Sequence, residues 1–231
     1  MNEKIEDLLE QLKKYDNEYG YKLDYNKVKS SLTPTINKII EIGENSIDRL
    51  HLLLENEETW SCLFSLEILK EIKNEKSIPY LIEFIEKNED GDYFEICDEA
   101  MHALINIGQP AVNAIIETLQ KGFDNKIFHG YLDEALSNIK NVEGKKFRLE
   151  ILKTYLSNKE KYETWFNLTI FISGFKEEDK EALPYLKELK RLNLDENELR
   201  ELKDAIELIE DPEGYKNRLE LIKNKFLRFM G

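Results

Sequence analysis

Residues 132–153 (LDEALSNIKNVEGKKFRLEILK) and 202–223 (LKDAIELIEDPEGYKNRLELIK) carry one pattern twice, 70 positions apart, and EGKKFRLEILK aligns with EGYKNRLELIK without a gap. A second pair lies 105 apart: Glu58-Thr59-Trp60 matches Glu163-Thr164-Trp165, and Pro79-Tyr80-Leu81 matches Pro184-Tyr185-Leu186. Both offsets are multiples of 35. A third pair, INKIIEIGENSIDRLHLLL (36–54) against MHALINIGQPAVNAIIETL (101–119), shares Ile-Gly at the same point. A chain that repeats on this period is confined to architectures in which each unit buries its apolar face against the next.

The grammar inside each unit is helical. Leu63, Leu66, Leu69 and Ile72 fall three apart, a polar stretch follows, and a second stripe runs through Ile78, Leu81, Ile82 and Ile85, with Pro79 where a first helical turn tolerates it. In the next unit Gly108 stands where a first helix should stop and Pro110 where the next should begin. No segment alternates with a period of two between turn residues, so strands are not expected. The period predicts helix pairs near 33–56, 58–88, 93–122, 126–157, 160–192 and 195–229, each helix about 20 Å long. Residues 2–18 read as an amphipathic helix through Ile5, Leu8, Leu9 and Leu12, ended by Gly20. The expected organisation is a capping segment over 1–32, including a short helical stretch at 24–31, and one continuous array over 33–231. The fold class is all-α: a solenoid of about six antiparallel helix pairs.

The motif Ser65-Leu66-Glu67-Ile68-Leu69 leading into Ile78-Pro79-Tyr80-Leu81, repeated from Ala100 through Gly108 into Val112 and again at Leu183-Pro184-Tyr185-Leu186, resembles the HEAT repeat. It is closest to the short HEAT-like repeats of the phycobilisome-lyase type. The resemblance covers about residues 33–229 and departs where the family often carries an early Arg, since this chain has Trp60-Ser61-Cys62 there. It implies a right-handed superhelix whose second helices line the concave face. It does not imply one function, because this fold hosts scaffolds, adaptors and enzymes.

Charge narrows the partners. The 231 residues hold 33 Lys and Arg against 47 Asp and Glu, and residues 51–100 alone carry 4 basic and 14 acidic groups. That segment repels nucleic-acid phosphates and anionic membrane surfaces, and no apolar run is long enough to span a bilayer. A basic protein partner is charge-compatible. Two cysteines, Cys62 and Cys97, make no disulfide framework and fit a reducing, cytoplasmic setting; 35 apart, they are expected as buried thiols on adjacent first helices.

Other constellations carry little chemistry. Asn88, Asp90 and Asp92 with Glu99 place oxygens at calcium-loop positions, but Tyr93 and Glu95 stand where the loop needs Gly and an apolar residue, so the segment reads as an inter-repeat connection without a metal. His51, His102 and His129 lie in different repeats without a partner at motif spacing. No cofactor-binding or catalytic motif is present, and an enzyme is not expected. Trp60 and Trp165, equivalent by the 105-residue offset, are expected to pack at helix starts rather than to stand out as anchors.

If second helices line a concave face, its outward positions are Tyr80, Glu83, Glu117, Glu150, Tyr185 and Glu188, with Lys153 and Lys223 on the same rows. This acidic stripe is the candidate partner-binding surface. The expected function is a non-catalytic scaffold or adaptor, or an inhibitor or immunity-type protein, that presents the stripe to a basic protein. The alternative from another class is an enzyme similar to the HEAT-like alkylpurine DNA glycosylases; the basic groove it needs is poorly served by Arg148, Arg200 and Arg218, each accompanied by a nearby Glu. Chromophore-lyase activity rests on resemblance alone.

Overall fold

A computed structural model describes residues 2–18, 24–91, 94–162 and 164–230. Among the described residues the elements are helices and short 3-10 turns, with no strand. No helix among them is long and apolar enough to cross a membrane. The chain divides into two compact units, Met1–Thr118 and Leu119–Gly231.

The first unit holds α1 (Asn2–Leu12), α2 (Tyr25–Ile42), α3 (Ile47–Leu53), α4 (Trp60–Ile72), α5 (Ile78–Asn88), α6 (Phe94–Ile107) and the start of α7 (Val112–Asn125). Its helices begin on capping side chains: Asp24 accepts from the amide of Lys27, and Thr59 from that of Cys62. First helices end at a residue with positive φ, namely Gly43 (63°), Lys73 (55°) and Gly108 (76°), whose amides return to the carbonyls of Ile39, Leu69 and Leu104. A 3-10 turn then reverses the chain at Gly43–Ser46, Glu75–Ser77 and Gln109–Ala111. Each turn closes on a small buried residue, Ser46, Ser77 or Ala111. An aliphatic pair three apart follows: Ile47 and Leu50, Ile78 and Leu81, Val112 and Ile115, all buried. The same turn therefore recurs three times in the first unit.

Cys62 through Leu69 are buried without interruption because α4 is enclosed by α2, α3 and α6; each fully buried Leu or Ile there contributes about 1.5–3 kcal/mol. Cys62 and Cys97 are free buried thiols, both pushed up to about 12 chiefly by burial. Ile5, Leu8, Leu9 and Leu12 are buried where α1 packs on α2 and α4, and Asp16 accepts from the amide and hydroxyl of Ser61 at 2.8 and 2.7 Å. The boundary expected at residues 32/33 falls inside α2, one helix running through Pro34, so the short 24–31 segment is not separate. The Gly20 break lies outside the described residues.

The second unit holds α8 (Gly130–Asn138), α9 (Val142–Ser157), α10 (Lys159–Tyr162), α11 (Leu168–Ser173), α12 (Leu183–Leu189), α13 (Glu196–Glu210) and α14 (Pro212–Met230). α11 packs on α8 and α13, α9 on α12, and α13 on α12 and α14. Lys180–Ala182 repeats the 3-10 turn, closing on buried Ala182 ahead of Leu186. Within the helix pair expected at 160–192, the first helix is broken into α10 and α11. Tyr162, Trp165 and Phe166 turn inward there, onto Phe123, Phe128, Tyr155 and Phe171. The two tryptophans accordingly differ. Trp60 is buried at the first position of α4, against Phe64 and Tyr25. Trp165 is half-buried in a turn, its indole donating to the Lys161 carbonyl at 2.9 Å.

The 70-residue sequence copy has a local cause. Asn141 and Asp211 cap α9 and α14 by accepting from the amides of Gly144 and Gly214. A Cβ on either glycine would stand 2.7 Å from its capping side chain, at Asn141 Oδ1 or Asp211 Cγ. A glycine three residues after the cap is what lets that side chain close down.

Candidate functional site

The described surface holds a groove of about 310 Å³ between α3 and α5, lined by Asp48, His51, Leu52, Leu54, Glu55, Tyr80, Glu83, Phe84 and Lys87. α3 and α5 each follow a 3-10 turn, Gly43–Ser46 and Glu75–Ser77, and supply the two walls. Leu54 and Phe84 are buried and form an apolar floor, while Tyr80 and Leu52 stand exposed on the rim. Among the described residues, Asp48, Glu55 and Glu83 form no ion pair. Lys87 is drawn to Glu57 at 3.6 Å. The groove is thus apolar below and anionic at its edge.

His51 braces it. Its ring lies 3.7 Å from that of Tyr80, nearly parallel at 21°, and its Nε2 is 3.3 Å from the Ser77 hydroxyl. Its Nδ1 is buried with no hydrogen-bond partner. Burial lowers its pKa to about 4, against the pull of Asp48, so the imidazole is neutral at pH 7 and adds no positive charge. The His51–Ser77 pair lacks what activates a nucleophile. Ser77 is fully buried, the imidazole is too weak a base near pH 7, and among the described residues no carboxylate orients Nδ1.

The structure brings together only part of the expected acidic stripe. Tyr80 and Glu83 meet in the groove. Glu117 is exposed on α7. In the second unit Glu150 is bound to Lys153 at 2.6 Å, and that ammonium lies 5.4 Å from the ring centroid of half-buried Tyr185. Glu188 is exposed on α12. The lysine on this row therefore neutralises Glu150 and covers Tyr185. Asp48, His51 and Glu55 were missed from the sequence, although a signal existed: aligning Ile47-Asp48-Arg49-Leu50 with Ile78-Pro79-Tyr80-Leu81 puts His51 opposite buried Ile82.

The arginines are committed elsewhere. Arg148 is buried in an ion pair with Asp133, donates to the Phe171 carbonyl at 2.6 Å and lies over the rings of Phe171 and Phe175. Gly174 leaves it room, since a Cβ there would stand 2.9 Å from the guanidinium carbon. Burial raises the pKa of Asp133 while Arg148 opposes the rise. Arg218 holds Asp204 and Glu207, and Arg200 is 3.3 Å from Glu201.

A second cavity of about 220 Å³, beside Arg148 and Phe175, is lined by charges of both signs, of which Lys145 is 3.2–3.3 Å from Asp179 and Glu178. Asn88, first position of the calcium-loop template, is buried with its amide donating to the Phe84 carbonyl; Asp92 and Tyr93, and the side chain of Glu95, lie outside the described residues. Among the described residues no cluster of three or more His, Cys, Asp or Glu could hold a metal ion. No protein-family model, curated protein or solved structure matches the chain.

Proposed function

We propose that this chain is a non-catalytic scaffold or adaptor of the HEAT-like α-solenoid kind that presents an acidic face to a basic protein, with the α3–α5 groove as its principal contact. The observation that carries this reading is the groove itself: three carboxylates that form no ion pair among the described residues rim an apolar floor beside exposed Tyr80. Such a surface suits a Lys or Arg side chain, whose aliphatic stem covers apolar atoms while its head meets carboxylates and an aromatic face. An inhibitor or immunity-type role is the same contact made with one cationic target. Support for the solenoid comes from the recurring turn-and-helix register and from first helices lying on first helices, α4 on α6 and α11 on α13. The cytoplasm is the proposed setting, since Cys62 and Cys97 are free thiols. No observation favours the glycosylase alternative, whose phosphate-binding groove would need arginines that here bind carboxylates.

The test is affinity capture from the source lysate at low and high salt, with a Glu55→Lys/Glu83→Lys variant in parallel and mass-spectrometric identification. A basic protein held by the wild type at low salt and released by the variant is expected. Retention of nucleic acid, or identical captures by both proteins, would overturn the proposal.

A further inference from the structure

The cavity beside Arg148 lies wholly within the second unit, where the end of α8 and the start of α9 face the connection from α11 to α12. Both walls are fixed by short-range bonds. On one, Asn141 accepts from the amide of Gly144 and donates to the carbonyl of Ile139 at 2.7 Å. On the other, the Asp179 carboxylate accepts from the amide of Lys176 at 2.7 Å, and the amide of Ala182 returns to the Asp179 carbonyl at 2.9 Å. The floor is apolar, since Leu136, Ile139, Phe175 and Ala182 line the cavity and none is more than 6% exposed. A hollow held open by its own turns is pre-formed, as small-molecule sites usually are.

Some of the lining charges are already met within the chain. Arg148 is paired with Asp133, and Lys145 with both Glu178 and Asp179. Glu178 feels Lys140 as well, but from beyond ion-pair distance. Among the described residues Lys140, Lys146 and Glu181 form no ion pair, and all three are exposed. Two cations therefore stand against one anion at the mouth, the reverse of a chain whose net charge is −14. The volume of about 220 Å³ is below the roughly 300–1,000 Å³ of drug-sized pockets, which limits an occupant to about one ring and a short chain. Apolar walls with one excess positive charge match an apolar molecule carrying one negative charge. A dianion would set its second charge against Glu181, and a neutral molecule would displace water from the lysines and return no partner.

We propose that this cavity is a binding site for a small organic acid, an apolar body bearing one carboxylate, whose apolar part lies against Leu136 and Phe175 and whose carboxylate meets Lys140 and Lys146 at the mouth. It shares no residue with the α3–α5 groove, so it stands or falls separately from the acidic face.

Titration of the full chain with 3-phenylpropionate, followed by NMR of the backbone amides, tests it. Saturable binding is expected with a Kd below about 1 mM, and its shifts should concentrate at the amides of Ile139, Gly174 and Phe175. The neutral 3-phenylpropionamide, and acetate, which has no apolar body, should each bind at least about tenfold more weakly. Lys140→Glu/Lys146→Glu should weaken binding of the acid by about tenfold or more, with thermal unfolding unchanged because both side chains are exposed. If that variant loses stability, Val142→Asp decides. It sets a carboxylate at the mouth from the first residue of α9, where a helix accommodates an acid, and it too should weaken binding. No saturable binding by about 10 mM, shifts confined to other parts of the chain, equal affinity for the amide or acetate, or an affinity unchanged by these substitutions would overturn the proposal.

Discussion

His51 sits at a core register position yet lies beneath a solvent-facing tyrosine, and this ties the fold to pH. Its pKa falls from 6.5 to about 4 on burial, so the folded chain binds fewer protons than the unfolded chain between those values. The stability this group contributes is therefore complete above pH 6.5 and is lost as pH falls towards 4, amounting to about 2–4 kcal/mol. Asp48 favours protonation of the ring against that burial, and Glu55, Glu83 and Lys87 line the same groove. His51→Phe keeps a ring against Tyr80 and removes the titration. Urea unfolding should show the wild type losing stability relative to the variant as pH falls from 6.5 to 4, and parallel profiles would contradict the assignment. The paired arginines offer a second residue-scale test. Arg148→Met strands the buried Asp133 carboxylate and should cost about 3–5 kcal/mol, whereas Arg218→Met, at a half-exposed pair, should cost under about 1 kcal/mol. The sequence copies treat these arginines as identical. The difference lies in what packs over them, which a local pattern does not encode, and the 15-residue step from Asp133 to Arg148 matches no motif.

At the scale of elements, the punctuation residues were readable and the interruptions were not. Gly108 ends α6 with φ of 76° and Gly43 ends α2 with φ of 63°, as an Ile-Gly shared by both segments requires, and Pro79 and Pro184 lie in the first turns of α5 and α12. Lys73 fills the same left-handed stop after α4 without being a glycine. Lys73→Gly should therefore stabilise the first unit by about 0.5–1 kcal/mol, because the side chain is exposed and only its Cβ is strained. Thermal or urea unfolding reads this directly, and a loss of stability would mean that the lysine contributes a contact. The break between α10 and α11 had no such mark. Its Glu-Thr-Trp matches the start of α4, but Tyr162, Trp165 and Phe166 pack into the cluster around Phe123 and Phe171 instead of continuing a helix. That preference depends on residues some 40 positions upstream, beyond the reach of a 35-residue period.

Across the whole chain, the excess negative charge matters where it lacks a counterion. The acidic stripe read from second-helix positions contains residues of two kinds. Tyr80 and Glu83 join Asp48 and Glu55 around a groove whose only lysine is drawn to Glu57, whereas Glu150 and Tyr185 already share Lys153. Spacing does not show which of these side chains are neutralised, since Lys153 follows Glu150 by three positions and looks like ordinary helical pairing. Affinity for a basic partner should therefore not be spread evenly along the stripe. Glu55→Lys/Glu83→Lys should weaken binding by about tenfold or more at low ionic strength, as reversal of unscreened interfacial charges does. Glu150→Lys/Glu188→Lys, with the same change in net charge, should alter it by less than about threefold, because one of the two replaced carboxylates is already paired. Titration of both variants with the captured partner at two salt concentrations separates a local groove from a general electrostatic attraction. Equal losses in the two variants would mean that net charge, rather than the α3–α5 groove, holds the partner.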